Sequence, residues 1–137
     1  MARKLIEIMD TTLRDGEQTS GVSYTPNEKL TIAKFLIDKL NIDRIEVASA
    51  KVSDGELESV KKITSWAKKN KKINSIEVLT FVDNGLSIDW ISRANCKVQN
   101  LLTKGSLNHL KYQLKKTPKD HFNDISKVLK KASAKKI

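Results

Sequence analysis

A chain of 137 residues with 39% hydrophobic and 31% charged side chains is long enough to bury one core, and no apolar run in it approaches the roughly 20 residues of a membrane span. Its single cysteine, Cys96, excludes an internal disulfide, and the opening MARKLIEIMD lacks the apolar stretch and cleavage site of a secretory signal, which together point to the cytoplasm. The net charge of +10 suits a nucleic-acid binder, but aromatic residues are not interleaved with the basic ones and no zinc-finger or RNA-motif signature is present. The charge therefore reads first as solvated lysine faces, then as attraction for an anionic cofactor.

The elements follow in chain order. Leu5-Ile6-Glu7-Ile8-Met9 predicts a short strand, and a polar, glycine-containing stretch runs from Asp10 to Tyr24. Thr25-Pro26-Asn27-Glu28 has the form of a capped helix start, followed at helical spacing by Leu30, Ala33, Leu36, Ile37 and Leu40. Arg44 to Ala48 predicts the second strand. Ser53-Asp54-Gly55-Glu56 predicts a second capping box ahead of Leu57, Val60, Ile63 and Ala67. Ile76 to Phe81 is the third strand, with a short helix from Ser87 to Ala94. Lys97 to Leu102 is the fourth strand. A helix is expected near Ser106 with Leu107, Leu110 and Leu114. Thr117-Pro118 restarts it, and Phe122, Ile125, Val128 and Leu129 carry it on.

Four strand–helix units in a row imply an α/β fold with a parallel sheet and right-handed crossovers. An open doubly wound sheet and half of a (β/α)₈ barrel both satisfy the pattern. A full barrel takes about 250 residues, and Ala134 to Ile137 stop where a fifth strand is expected to begin.

The most unusual stretch follows the first strand: Asp10-Thr11-Thr12-Leu13-Arg14-Asp15-Gly16-Glu17-Gln18. In parallel α/β folds the carboxyl ends of strands carry the active site. An arginine there can grip a carboxylate or stabilise a developing enolate, and an adjacent carboxylate can bind a hard divalent cation. The same residues can also form a polar turn held by local bonds and an ion pair.

The string Met9 to Gln18, with Gly21-Val22-Ser23 after it, resembles the opening signature of the DRE-type TIM-barrel metalloenzymes. These include isopropylmalate, homocitrate and citramalate synthases and the lyase that splits hydroxymethylglutaryl-CoA. The likeness continues through Glu28-Lys29-Leu30, Ile45 to Ala50, Phe81-Val82-Asp83 and Asn100 to Leu107, the last being nearest to citramalate-synthase-type members. It covers essentially the whole chain. It implies a (β/α)₄ unit, the N-terminal half of an isopropylmalate-synthase-like TIM-barrel domain spanning residues 1–137.

The activity implied is Claisen condensation of acetyl-CoA with a 2-oxo acid in branched-chain amino-acid biosynthesis. Pyruvate, giving citramalate, is the first choice, and 2-oxoisovalerate, giving isopropylmalate, the second. By resemblance, Arg14 is the catalytic residue that binds the 2-oxo acid. Asp15 is a ligand of magnesium, manganese or zinc, and Gln18 lies on the acetyl-CoA side. Glu46, ending the second strand, supports the metal and Arg14 from behind. Leu79 and Leu102 line the pocket for the 2-oxo acid side chain, although two strand leucines otherwise read as barrel core. The resemblance also implies a homo-oligomer for the complete enzyme, with neither nucleic acid nor membrane as partner.

The remaining candidates are plainer. His109 and His121 fall on predicted helices and read as surface or packing residues, and Cys96 as a buried thiol. Lys104-Gly105-Ser106 suits either a phosphate or thioester contact or a simple cap. The family's His-x-His is not present in this sequence, so the 137-residue chain alone is expected to be inactive. The alternative is a non-catalytic half-barrel that pairs with itself or with a homologous enzyme through its open sheet edges.

Overall fold

The structure, a computed structural model, describes residues 6–137. Four parallel strands lie in chain order in one sheet: β1 (Met9–Asp10), β2 (Arg44–Ser49), β3 (Ile76–Phe81) and β4 (Val98–Leu102). The helices α1 (Pro26–Asp38), α2 (Asp54–Lys69) and α3 (Leu86–Arg93) join them, and α4 (Pro118–Ala134) follows β4. This is the α/β half-barrel arrangement expected: consecutive strands are neighbours, with none of the order reversal of a doubly wound sheet.

The core lies between sheet and helices. Ile45, Val47, Ile76 and Val78 cluster with Ala33, Leu36 and Ile37 of α1, Val60, Ile63 and Ala67 of α2, Ile88 and Ile91 of α3, and Val128 and Ala132 of α4. Each large aliphatic side chain so buried contributes about 1.5–3 kcal/mol. The opposite face of the sheet carries polar groups. Asn100 on β4 donates through Nδ2 to Oε1 of Glu46 on β2 at 2.6 Å, across the intervening β3. Strands two apart are separated by roughly 9.5 Å in the pairing direction. Side chains standing straight off a flat sheet do not meet over that span, so this face is concave, as in a barrel wall.

Local chemistry sets the helix starts. Thr25 and Glu28 close the first capping box in both directions. The second box closes in one direction only. Ser53 Oγ accepts from the Glu56 amide at 3.1 Å, but the Glu56 carboxylate turns away to Lys29, whose buried charge is the stronger partner. At the start of α3, Gly85 adopts φ +80° and packs against Lys131 so closely that a Cβ there would collide with its side chain. Among the described residues no helix is long and apolar enough to cross a membrane.

Three expectations need correction. Leu5 lies outside the described residues, and the first strand pairs only at Met9 and Asp10. Ile6 and Ile8 before it are exposed, because among the described residues β1 pairs with β2 alone and little packs over them. The helix expected at Ser106 is a π-helical turn, His109–Leu114. Of the expected leucines Leu107, Leu110 and Leu114, only Leu110 is buried, and Lys115 ends the turn in the left-handed region at φ 52°. In α4, Val128 is buried while Phe122 and Leu129 are exposed, so that apolar stripe is only partly used.

Cys96 is buried just ahead of β4, and burial pushes its thiol from 9.0 up to about 11. The unfolded thiol ionises first as pH rises, so the unfolded state loses its proton earlier and stability falls between about pH 9 and 11. The expected loss is about 3 kcal/mol. Urea unfolding across that window checks it, with Cys96→Ala flattening the decline.

Candidate functional site

Arg14 reaches its place through a tight turn after β1. The Asp10 carboxylate accepts from the Thr12 amide at 2.9 Å and the Thr12 hydroxyl at 3.1 Å. The Thr11 carbonyl then accepts from the amides of Arg14 at 3.0 Å and Asp15 at 2.8 Å. Gly16–Gln18 forms a single 3₁₀ turn. Leu13 anchors this loop with a side chain that is fully buried, while its neighbours Arg14 and Asp15 stay within reach of solvent.

The guanidinium is held from two sides. Its Nε–H donates to Oε2 of Glu46, and its Nη1 pairs with the Asp15 carboxylate. Glu46 has no exposed side-chain surface, and its other oxygen is taken by Asn100. Three strands thus combine: β1 delivers Arg14, β2 the carboxylate that fixes it, and β4 the amide that fixes the carboxylate. Glu46 stands third of six residues in β2, not at its end; the strand runs on to Ser49. Two of the five N–H donors of an arginine are committed in this way, so the remaining face of the guanidinium is free for a carboxylate or a developing oxyanion.

Beside Arg14 lies a cavity of about 300 Å³, with Gln18, Ser23, Ala48, Ser49 and Ser53 in its walls. A register shift between Glu46 and Ala48 interrupts the β2–β3 ladder. Such a bulge re-aims the strand beyond it, which is how consecutive residues Ala48 and Ser49 both come to line one cavity.

Leu79 on β3 is buried and pairs in register with Asn100, so it shares the concave face with Glu46 and Asn100. Leu102 pairs with Phe81 two residues further along and is 46% exposed. It lies in a separate hollow with Val82, Lys104, Leu114 and His121. Asp15 offers one carboxylate, partly engaged by Arg14. Among the described residues, no three carboxylates, histidines or cysteines come together as a metal site. One carboxylate does not hold a catalytic divalent ion, so these residues alone do not fit one.

Sequence reasoning passed over two groups. Asn100 gave a readable signal as a polar residue alternating with Val98 and Leu102 on one strand face. Lys29 is fully buried, against the reading of lysines as solvated. His109 is exposed, whereas His121 is buried and donates from Nε2 to the Lys104 carbonyl at 3.1 Å. Ser106 acts as a cap, accepting from the His109 amide at 3.1 Å.

Near the entrance to α3, Asp83 is partly buried, which works against its charge. The Ser87 hydroxyl and amide and the Lys51 ammonium outweigh that effect and hold its carboxyl below the usual value.

A family model described as HMGL-like matches residues 5–137. The (R)-citramalate synthase of Methanocaldococcus jannaschii is 42% identical over 130 residues, 93% of this chain and 25% of that protein. The 2-isopropylmalate synthase of Pyrococcus furiosus is 42% identical over 120 residues, 88% of this chain and 23% of that protein. That of Sulfolobus acidocaldarius is 35% identical over 128 residues, 89% of this chain and 30% of that protein. The chain therefore spans between a fifth and a third of the length of these three relatives.

Proposed function

The chain belongs to the HMGL-like family, and from that premise we propose that it forms the 2-oxo-acid-gripping part of a synthase that condenses acetyl-CoA with a 2-oxo acid. The observation that carries the reading is the Arg14 guanidinium at a strand end, braced by buried Glu46 and Asn100 and set beside Asp15. Relatives on both sides of the substrate question, citramalate and 2-isopropylmalate synthases, support the reaction class equally.

In this proposal the free face of Arg14 binds the 2-oxo acid carboxylate and holds negative charge as it grows on the ketone oxygen. Because Glu46 fixes Nε, the guanidinium needs little reorganisation as that charge develops. Gln18, on the wall of the cavity beside Arg14, faces the acetyl-CoA side. Leu79 bounds the substrate's side chain from the sheet face it shares with Glu46, and Leu102, in the separate hollow at the end of β4, marks the outer limit of that wall. Asp15 would contribute one donor to a divalent cation completed by donors that the described residues do not supply, and such an ion would bring Lewis-acid polarisation of a carbonyl.

Pyruvate is the proposed substrate, because two leucines leave room for its methyl group and crowd an isopropyl group. Such a pocket discriminates by only about 1–3 kcal/mol per methylene. The test is a graft in which residues 6–137 replace the aligned segment of the Methanocaldococcus jannaschii enzyme, with release of the CoA thiol as the assay. Turnover with pyruvate, at roughly tenfold or more higher kcat/KM than with 2-oxoisovalerate, is the expected result. A folded graft that releases no thiol contradicts the reaction class, and a reversed preference contradicts the substrate.

A further inference from the structure

Lys29 is the largest fully buried side chain among the described residues, with 0% exposure. An ammonium that has lost its water needs other partners or it shifts to neutrality. Lys29 has three. Its Nζ pairs with Oε2 of Glu17 and Oε1 of Glu56, each at 2.5 Å, and the Leu13 carbonyl lies at 3.4 Å.

These partners tie together elements that are otherwise separate. Leu13 directly precedes Arg14, and Glu17 sits in the 3₁₀ turn just after Asp15. Glu56 belongs to the first turn of α2. The second oxygen of Glu17 accepts from the Tyr24 amide at 3.0 Å, where the loop rejoins α1. The backbone bonds within residues 11–22 are all local, so Lys29 supplies the polar link from this loop to the helix layer. Glu17 and Glu56 also stand on the wall of the cavity that holds Arg14. The single Lys29 charge offsets one of these two carboxylates and lowers the negative charge that an anionic ligand meets beside Arg14.

We propose that Lys29 is a positioning residue for Arg14, fixing from behind the loop that presents the guanidinium. Its functional meaning rests on reading Arg14 as the clamp for the 2-oxo acid; the ordering itself involves no substrate.

The test is hydrogen exchange and ¹⁵N spectroscopy on the 137-residue chain carrying Lys29→Met or, separately, Glu17→Gln. The second variant keeps the Lys29–Glu56 pair and loosens only the loop. Expected in both are a broadened Arg14 Nε–H signal and exchange about tenfold or more faster at the Arg14 and Asp15 amides. The amides of β3 keep their protection. Unchanged Arg14 signals, or acceleration spread equally into β3, overturn the proposal, the latter by reducing Lys29 to a general stabiliser. If Lys29→Met does not fold, Glu17→Gln decides by the same two outcomes. A chain in which Arg14 order follows Lys29 but no signal responds to pyruvate supports the positioning role and removes the substrate reading.

Discussion

Arg14→Gln, made in the grafted synthase, is expected to lower kcat/KM for pyruvate by on the order of 10²–10³-fold. The guanidinium is committed to Glu46 through Nε and to Asp15 through Nη1, so it is aimed before substrate arrives. A glutamine keeps some hydrogen bonding but brings no positive charge. It loses both the attraction for the substrate carboxylate and the stabilisation of charge growing on the ketone oxygen. The first loss raises KM and the second lowers kcat, so both parameters are expected to move. Arg14→Lys restores charge without the planar fork. One ammonium on a flexible stem does not satisfy Glu46, Asp15 and a carboxylate in the same geometry, so it recovers only part of the activity. Steady-state kinetics of the three proteins check this, and a glutamine variant within about threefold of the parent contradicts it.

Glu46→Ala is expected to destabilise the isolated chain by about 3 kcal/mol. The carboxylate has no exposed side-chain surface and holds Arg14 with one oxygen and Asn100 with the other. Removing it strands two donors at once, one in the turn after β1 and one on β4. Arg14 retains 19% side-chain exposure, so water recovers part of its loss and the cost falls short of that for a fully buried broken pair. Glu46→Gln preserves volume and one acceptor and is expected to cost roughly half as much. Urea unfolding at neutral pH measures both. A loss below about 0.5 kcal/mol for the alanine variant would mean that the Arg14–Glu46–Asn100 chain is not formed.

The fold was legible because each level of the sequence pointed the same way. Short β-rich runs alternate with helices whose apolar positions recur at helical spacing, and Thr25-Pro26 and Thr117-Pro118 mark two helix starts that the structure keeps. The Arg14-Asp15 turn was legible because polar residues crowd the end of a strand. Propensity failed where context decides. Ile6 and Ile8 look like strand residues but have one neighbouring strand and little covering them. Leu107 looks like helix core but is exposed.

Lys29 was missed because lysines are almost always solvated. A signal was nevertheless present: Lys29 precedes Ala33 by four positions and Leu36 by seven, which places it on the buried stripe of its own helix. A cation there requires acidic partners, and Glu17 and Glu56 are both drawn to it. Asn100 was likewise visible as a residue but not as a partner, because the curl of the sheet that brings it to Glu46 is a long-range property.

The Arg14 guanidinium is the group proposed to receive a 2-oxo acid carboxylate. Titrating the ¹⁵N-labelled chain with pyruvate while following the Arg14 Nε–H resonance tests it without requiring turnover. The expected result is a saturable shift at Arg14, absent for the Arg44 guanidinium and lost for pyruvate's neutral amide. No shift at Arg14, or an equal response at Arg44, would contradict it.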